Sequence, residues 1–105
     1  MIERRIVVTG LGLISPVGNT TAEGWRNARD GVSGISVIDS FDTSGFATKI
    51  GGMIRGFDVG AYLEPKEARR SDPFIHYGIA SCKQAIEDSG VEVTEANADR
   101  IGVIM

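Results

Sequence analysis

Apolar residues are distributed along the chain in three patterns, and each predicts a different element. Ile6-Val7-Val8 are consecutive within a short β-branched run from Arg4 to Thr9 that Gly10 closes. Consecutive apolar positions suit a parallel strand covered on both faces, so a first buried strand is predicted there. Arg100-Ile101-Gly102-Val103-Ile104-Met105 has the same character and predicts a second one. Helical spacing dominates between them. Thr20-Thr21-Ala22-Glu23 has the spacing of a capping box and opens a first helix that ends near Asp30. Trp25 and Ala28 supply its apolar side, and Gly31 suits the left-handed terminator. A longer helix starts with Asp72 as N-cap and Pro73 as first residue. Its stripe is Ile75, Gly78, Ile79, Cys82, Ala85 and Ile86, and Gly90 ends it.

The remaining segments are weaker. Gly34 to Gly45 reads as irregular chain, and Phe46 to Met53 as an exposed or edge strand interrupted by Gly51-Gly52. One helical turn is predicted around Val59 to Leu63 and another over Lys66 to Ser71, after Pro65. Val91 to Asp99 is a polar, mildly acidic connection. The order of strand, helix, edge strand, helix and strand predicts an α/β fold with a mainly parallel sheet. Two central strands are too few to cover the long helix and shield their own edges, so the chain reads as unfinished.

Composition narrows this little. With 105 residues, 42% apolar and 24% charged, one ordinary globular domain at most is expected. The formal net charge of −3 gives no reason to expect a nucleic acid or an anionic membrane as partner. A single cysteine, Cys82, excludes an internal disulfide and fits a reducing, cytoplasmic setting. Arg4-Arg5 before an apolar run has the look of a signal segment, but Thr9, Gly10, Gly12, Ser15 and Pro16 interrupt it. No apolar stretch approaches the length of a membrane span.

Gly10-Leu11-Gly12 after a predicted strand invites a dinucleotide reading, which would make the chain part of an NADP-dependent reductase. Ser15 stands where the third glycine belongs, and Pro16-Val17-Gly18-Asn19 separates the turn from the helix whose amides would face the pyrophosphate. Asp30 has a ribose ligand's spacing but sits at a helix end. A tight turn out of a buried strand is the favoured reading of this glycine pair, and no cofactor is assigned.

Taken as a unit, Arg5-Ile6-Val7-Val8-Thr9-Gly10-Leu11-Gly12-Leu13-Ile14-Ser15-Pro16-Val17-Gly18-Asn19 resembles the opening of the β-ketoacyl synthases, the condensing enzymes of the thiolase-like fold. Trp25, Gly31-Val32-Ser33-Gly34-Ile35, Phe41-Asp42, Lys66-Glu67, Arg69-Arg70, Asp72-Pro73-Phe74, Tyr77-Gly78, Asp88-Ser89-Gly90 and Arg100-Ile101-Gly102 continue the likeness in order. They are similar to the elongating type, synthase II. Ser71 departs from the methionine common there.

The resemblance implies an N-terminal portion of a partial thiolase-like fold, ahead of the glycine-rich loop and the nucleophile. It implies a cytoplasmic, homodimeric acyltransferase of fatty-acid biosynthesis, with acyl carrier protein as partner. An acyl group moves from the carrier to a cysteine, and the carbanion left by malonyl decarboxylation attacks the thioester. The cysteine, two histidines and lysine for this lie downstream in the family, so no catalytic residue is expected in this chain, which alone should be inactive. Cys82, ten residues into the long helix, lacks the helix N-terminus or cation a reactive thiolate needs and reads as a buried structural cysteine. His76, the only histidine, lies off the apolar stripe with no nucleophile or orienting carboxylate in sight, so an exposed or helix-packing role is expected. One histidine and one cysteine six apart match no metal pattern.

Lys66, Arg69 and Arg70, at i, i+3 and i+4, put three cations on one helical face. Glu64, Glu67 and Asp72 offset their charge, and residue types alone favour a solvated surface. The resemblance implies instead that they dock the acidic helix of acyl carrier protein. A free-standing carrier-binding module or an inactive partner subunit is the alternative within the binding class.

Overall fold

The structure is a computed structural model that describes residues 3–105. Helix α1 spans Thr21–Arg29 and is capped as its sequence dictates. The Thr20 hydroxyl accepts from the Glu23 amide at 3.2 Å, while the Glu23 carboxylate reaches back to the Asn19 amide at 3.1 Å. Gly31, at φ 71°, closes the helix in the left-handed region. The face turned inward differs from the expected one. Gly24 is buried and Asn27 donates to the Val17 carbonyl at 2.7 Å, whereas Trp25 is 68% exposed and Ala28 is exposed.

Strands β1 (Ile35–Val37) and β2 (Ile50–Gly52) pair antiparallel, with Ile35 opposite Gly52 and Val37 opposite Ile50. The region expected to be irregular thus contains a strand, and Gly51-Gly52 lie within the second strand instead of interrupting it. A Cβ on Gly52 would come within 2.8 Å of the Pro16 ring, so glycine is what lets the strand lie against that loop. Arg55 ties the hairpin together through Asp39, at 3.2 Å, and Ser36, at 3.3 Å.

A 3₁₀ turn at Val59–Ala61, capped by the Asp58 carboxylate on the Gly60 amide, leads through buried Leu63 to the short helix α2, Pro65–Ala68. Helix α3, Pro73–Ser89, follows and ends on Gly90 at φ 67°. Pro73 stands at its first turn as expected, although the Asp72 side chain makes no capping bond. A second 3₁₀ turn, Ala98–Arg100, precedes the last residues.

The predicted buried parallel strands are the main correction. Residues 4–9 and 101–105 have no strand pairing, and the one sheet among the described residues is the β1–β2 hairpin. Ile6 is 95% exposed and Ile104 99%. A strand is defined by its neighbour, and neither segment has one here to supply ladder hydrogen bonds or cover its faces. Leu63 and Ala80 are the only buried apolar residues among those described. The radius of gyration, 17.6 Å, exceeds the ~13 Å of a compact chain of about 100 residues.

Candidate functional site

Helix α3 organises everything the sequence singled out. Its small residues face the N-terminal segment, and a Cβ on Gly10 would lie 2.6 Å from the Ser89 amide nitrogen. A Cβ on Gly12 would lie 2.9 Å from the Ala85 nitrogen and collide with the Ser81 carbonyl. Gln84 and Asp88, one helical turn apart, accept from the amides of Leu13 and Leu11, at 3.0 and 2.9 Å. The match is geometric: two residues of extended chain advance about 6.6 Å and four residues of helix about 6 Å. Gln84 also donates to the Asn19 carbonyl and to the Tyr62 hydroxyl, at 2.7 and 2.9 Å. Gly10 and Gly12 are therefore spacers for a helix contact and do not form the tight turn expected of them; the chain turns later, at Pro16-Val17 between the bridged Ser15 and Gly18. The Leu11 and Leu13 amides of this stretch are taken up by α3.

The same helix holds the cationic turn. Phe57 stacks on Tyr62 with ring centroids 5.8 Å apart and meets Tyr77 edge-on at 5.1 Å. Lys83 donates to the Tyr62 carbonyl. This cluster and Leu63 anchor the chain entering α2. Lys66, Arg69 and Arg70 are all exposed, and Arg69 continues the helical conformation beyond Ala68. The ion pairs among the described residues are Arg29 with Asp30 and Arg55 with Asp39, so the three cations have no carboxylate bonded to them. Arg70 and Lys83 line an open groove of about 530 Å³ floored by Leu63, Ile75 and Ile79. Lys83 was missed in the sequence because it is separated from the triad by an intervening helix start.

His76 lies in the first turn of α3, half-buried, with Nε2 3.0 Å from the Ala68 carbonyl and 3.1 Å from the Ser71 hydroxyl. It takes the helix-packing role expected of it. Cys82 is half-buried mid-helix, ten residues past the N-cap, rather than fully enclosed. Among the described residues, no three His, Cys, Asp or Glu side chains are placed to hold a metal ion, and no helix is long and apolar enough to cross a membrane. The Arg55 guanidinium, by hydrogen bond and charge, holds the Asp39 carboxyl below its ordinary range.

Residues 3–105 match the β-ketoacyl synthase N-terminal domain, and the chain belongs to the β-ketoacyl synthase family. Within it, the chain is 53% identical over 103 residues to a 3-oxoacyl-[acyl-carrier-protein] synthase 2 of Vibrio cholerae, a match covering 98% of this chain and 25% of that protein. The synthase 2 of Vibrio harveyi is 50% identical and that of a Synechocystis strain 43%, with the same coverage. A solved structure, the ishigamide ketosynthase/chain length factor, agrees with a TM-score of 0.77 at 30% identity, over 87% of this chain and 23% of its own. The chain thus spans about a quarter of the length of the curated relatives it matches. Its architecture is part of a ketosynthase fold, in which the expected thiolase-like arrangement is present only in part.

Proposed function

We propose that this chain is the N-terminal part of a 3-oxoacyl-[acyl-carrier-protein] synthase that lengthens acyl chains in fatty-acid biosynthesis. In that reaction an acyl group passes from the carrier thioester to an enzyme thiol. Malonyl-carrier then loses carbon dioxide, and its carbanion attacks the acyl thioester, expelling the thiolate and leaving a 3-oxoacyl-carrier. In this reading the nucleophile, its histidines and its lysine are supplied from outside this segment. What this segment contributes is scaffold, through α3 and the loop pinned on it, and carrier docking through Lys66, Arg69 and Arg70. A homodimeric, cytoplasmic enzyme is part of the same reading.

The observation that carries the docking role is the exposure of three cations on one short helical turn, none of them engaged by a carboxylate. Cations held out of ion pairs remain available to steer an acidic partner and fix its approach. The test is carbon dioxide release from malonyl-carrier in the presence of acyl-carrier. The complete protein should release it and form a product two carbons longer, and residues 1–105 alone should release none. Condensation by the 105-residue chain would contradict the proposal. Carrier binding by a complete protein that never decarboxylates malonyl-carrier would point to an inactive partner subunit instead.

A further inference from the structure

Helix α2 is four residues long and cannot hold itself together, since a helix nucleus costs more than so few bonds return. Whether Lys66, Arg69 and Arg70 are presented as one surface therefore depends on what clamps the ends of that turn. Leu63 and the aromatic cluster secure the entry. We infer that Ser71 and His76 form the clamp at the exit, and that His76 is a positioning residue for the carrier-docking cations. The inference rests on the docking role proposed above.

Hydrogen bonding fixes the chemistry of the clamp. The Ser71 hydroxyl donates its single proton to the Glu67 carbonyl, which can only accept, at 3.0 Å. Its oxygen must therefore accept from His76. The second neighbour of His76 Nε2, the Ala68 carbonyl, can also only accept. Both contacts assign the proton to Nε2, so the ring is a shared donor to the last carbonyl of α2 and to Ser71. The Ala68 carbonyl is one of those a helix end leaves without an internal partner, and His76 satisfies it from α3. One imidazole thus joins the docking turn to the scaffold helix across an 8-residue separation. Ser71 supplies the oxygen acceptor that the ring meets beside the Ala68 carbonyl.

Three variants of the complete protein test this by steady-state kinetics with acyl-carrier as the varied substrate. His76→Leu, which keeps bulk and removes the donor, should raise KM about three- to ten-fold with kcat nearly unchanged, as expected for losing one such bond. His76→Gln, whose amide can donate from a similar position, should restore most of the affinity. Combined reversal of Lys66, Arg69 and Arg70 to Glu serves as reference for the docking surface itself. If the triple reversal raises KM and His76→Leu does not, the clamp is refuted and docking stands. If the triple reversal leaves KM unchanged, the docking role and the clamp fall together. A glutamine variant as impaired as the leucine variant would also overturn the donor assignment. Independently of any variant, the ¹⁵N shifts of the His76 ring should report a proton on Nε2. The opposite tautomer would refute the clamp.

Discussion

At the residue scale, glycine does most of the work of bringing backbone to backbone. Gly12 faces the Ser81 carbonyl and the Ala85 nitrogen, rigid atoms of α3 that no rotamer change can move aside. Gly12→Ala should therefore cost roughly 1–3 kcal/mol by overpacking. Gly45 has nothing within 4 Å of its would-be Cβ, and Gly45→Ala should be within about 0.5 kcal/mol of neutral. Thermal unfolding of the complete protein checks both; equal shifts would mean that the loop does not seat on α3 as described. The importance of Gly12 was legible in the sequence, but its reason was not. A glycine between apolar residues looks the same whether it turns the chain or approaches a helix, and only the position of Ser81, 69 residues away in sequence, decides. His76, off the apolar stripe of its helix, was legible only as either exposed or helix-packing. Its partners, Ala68 and Ser71, depend on the angle between α2 and α3, which residue spacing does not encode.

At the element scale, local rules placed the helices well because capping and proline signals act within one turn. Thr20, Gly31, Pro73 and Gly90 each stand where the sequence put them. Strands were harder. The β1–β2 hairpin is short and glycine-rich, and it is held by side chains flanking it more than by its own pattern. Arg55 is the main brace, bonded to Asp39 and Ser36. Because the Asp39 carboxyl is held below its ordinary range when folded, this brace contributes above the unfolded carboxylate value of about 3.9 and is lost as pH falls through the lower folded value. A carbon-detected NMR titration should give Asp39 a midpoint below that of an unpaired aspartate, and Arg55→Ala should bring it back up. A midpoint in the ordinary range in the unaltered protein would mean that the pair is not formed in solution.

At the scale of the whole molecule, the feature to explain is how little of this chain is buried. Ile6, Val8, Val103 and Ile104 each expose more than three-quarters of their surface, although the sequence marks both ends as core strands. The apolar runs were read correctly as wanting cover on two faces, but their neighbours could not be identified from 105 residues. Relatives about four times longer supply a physical reason, because a strand in a mainly parallel sheet takes its partners from sequence far away. The family was legible from landmarks spread over the entire chain, while the docking triad became a candidate through that resemblance alone. The structure shows these side chains exposed and, among the described residues, outside any ion pair, which is where the proposed role starts.

That role makes a prediction no purely structural surface would share. Triple reversal of Lys66, Arg69 and Arg70 to Glu in the complete protein should lower kcat/KM at least about ten-fold for an acyl group carried on acyl carrier protein, because encounter with an acidic partner is steered by charge. The same acyl group on a small pantetheine thioester never touches that surface, and its kcat/KM should not change. Comparing the two substrates in one variant is the most direct measurement. A selective loss with the carrier substrate is the predicted result; an unchanged carrier value, or an equal loss with both substrates, would contradict the account.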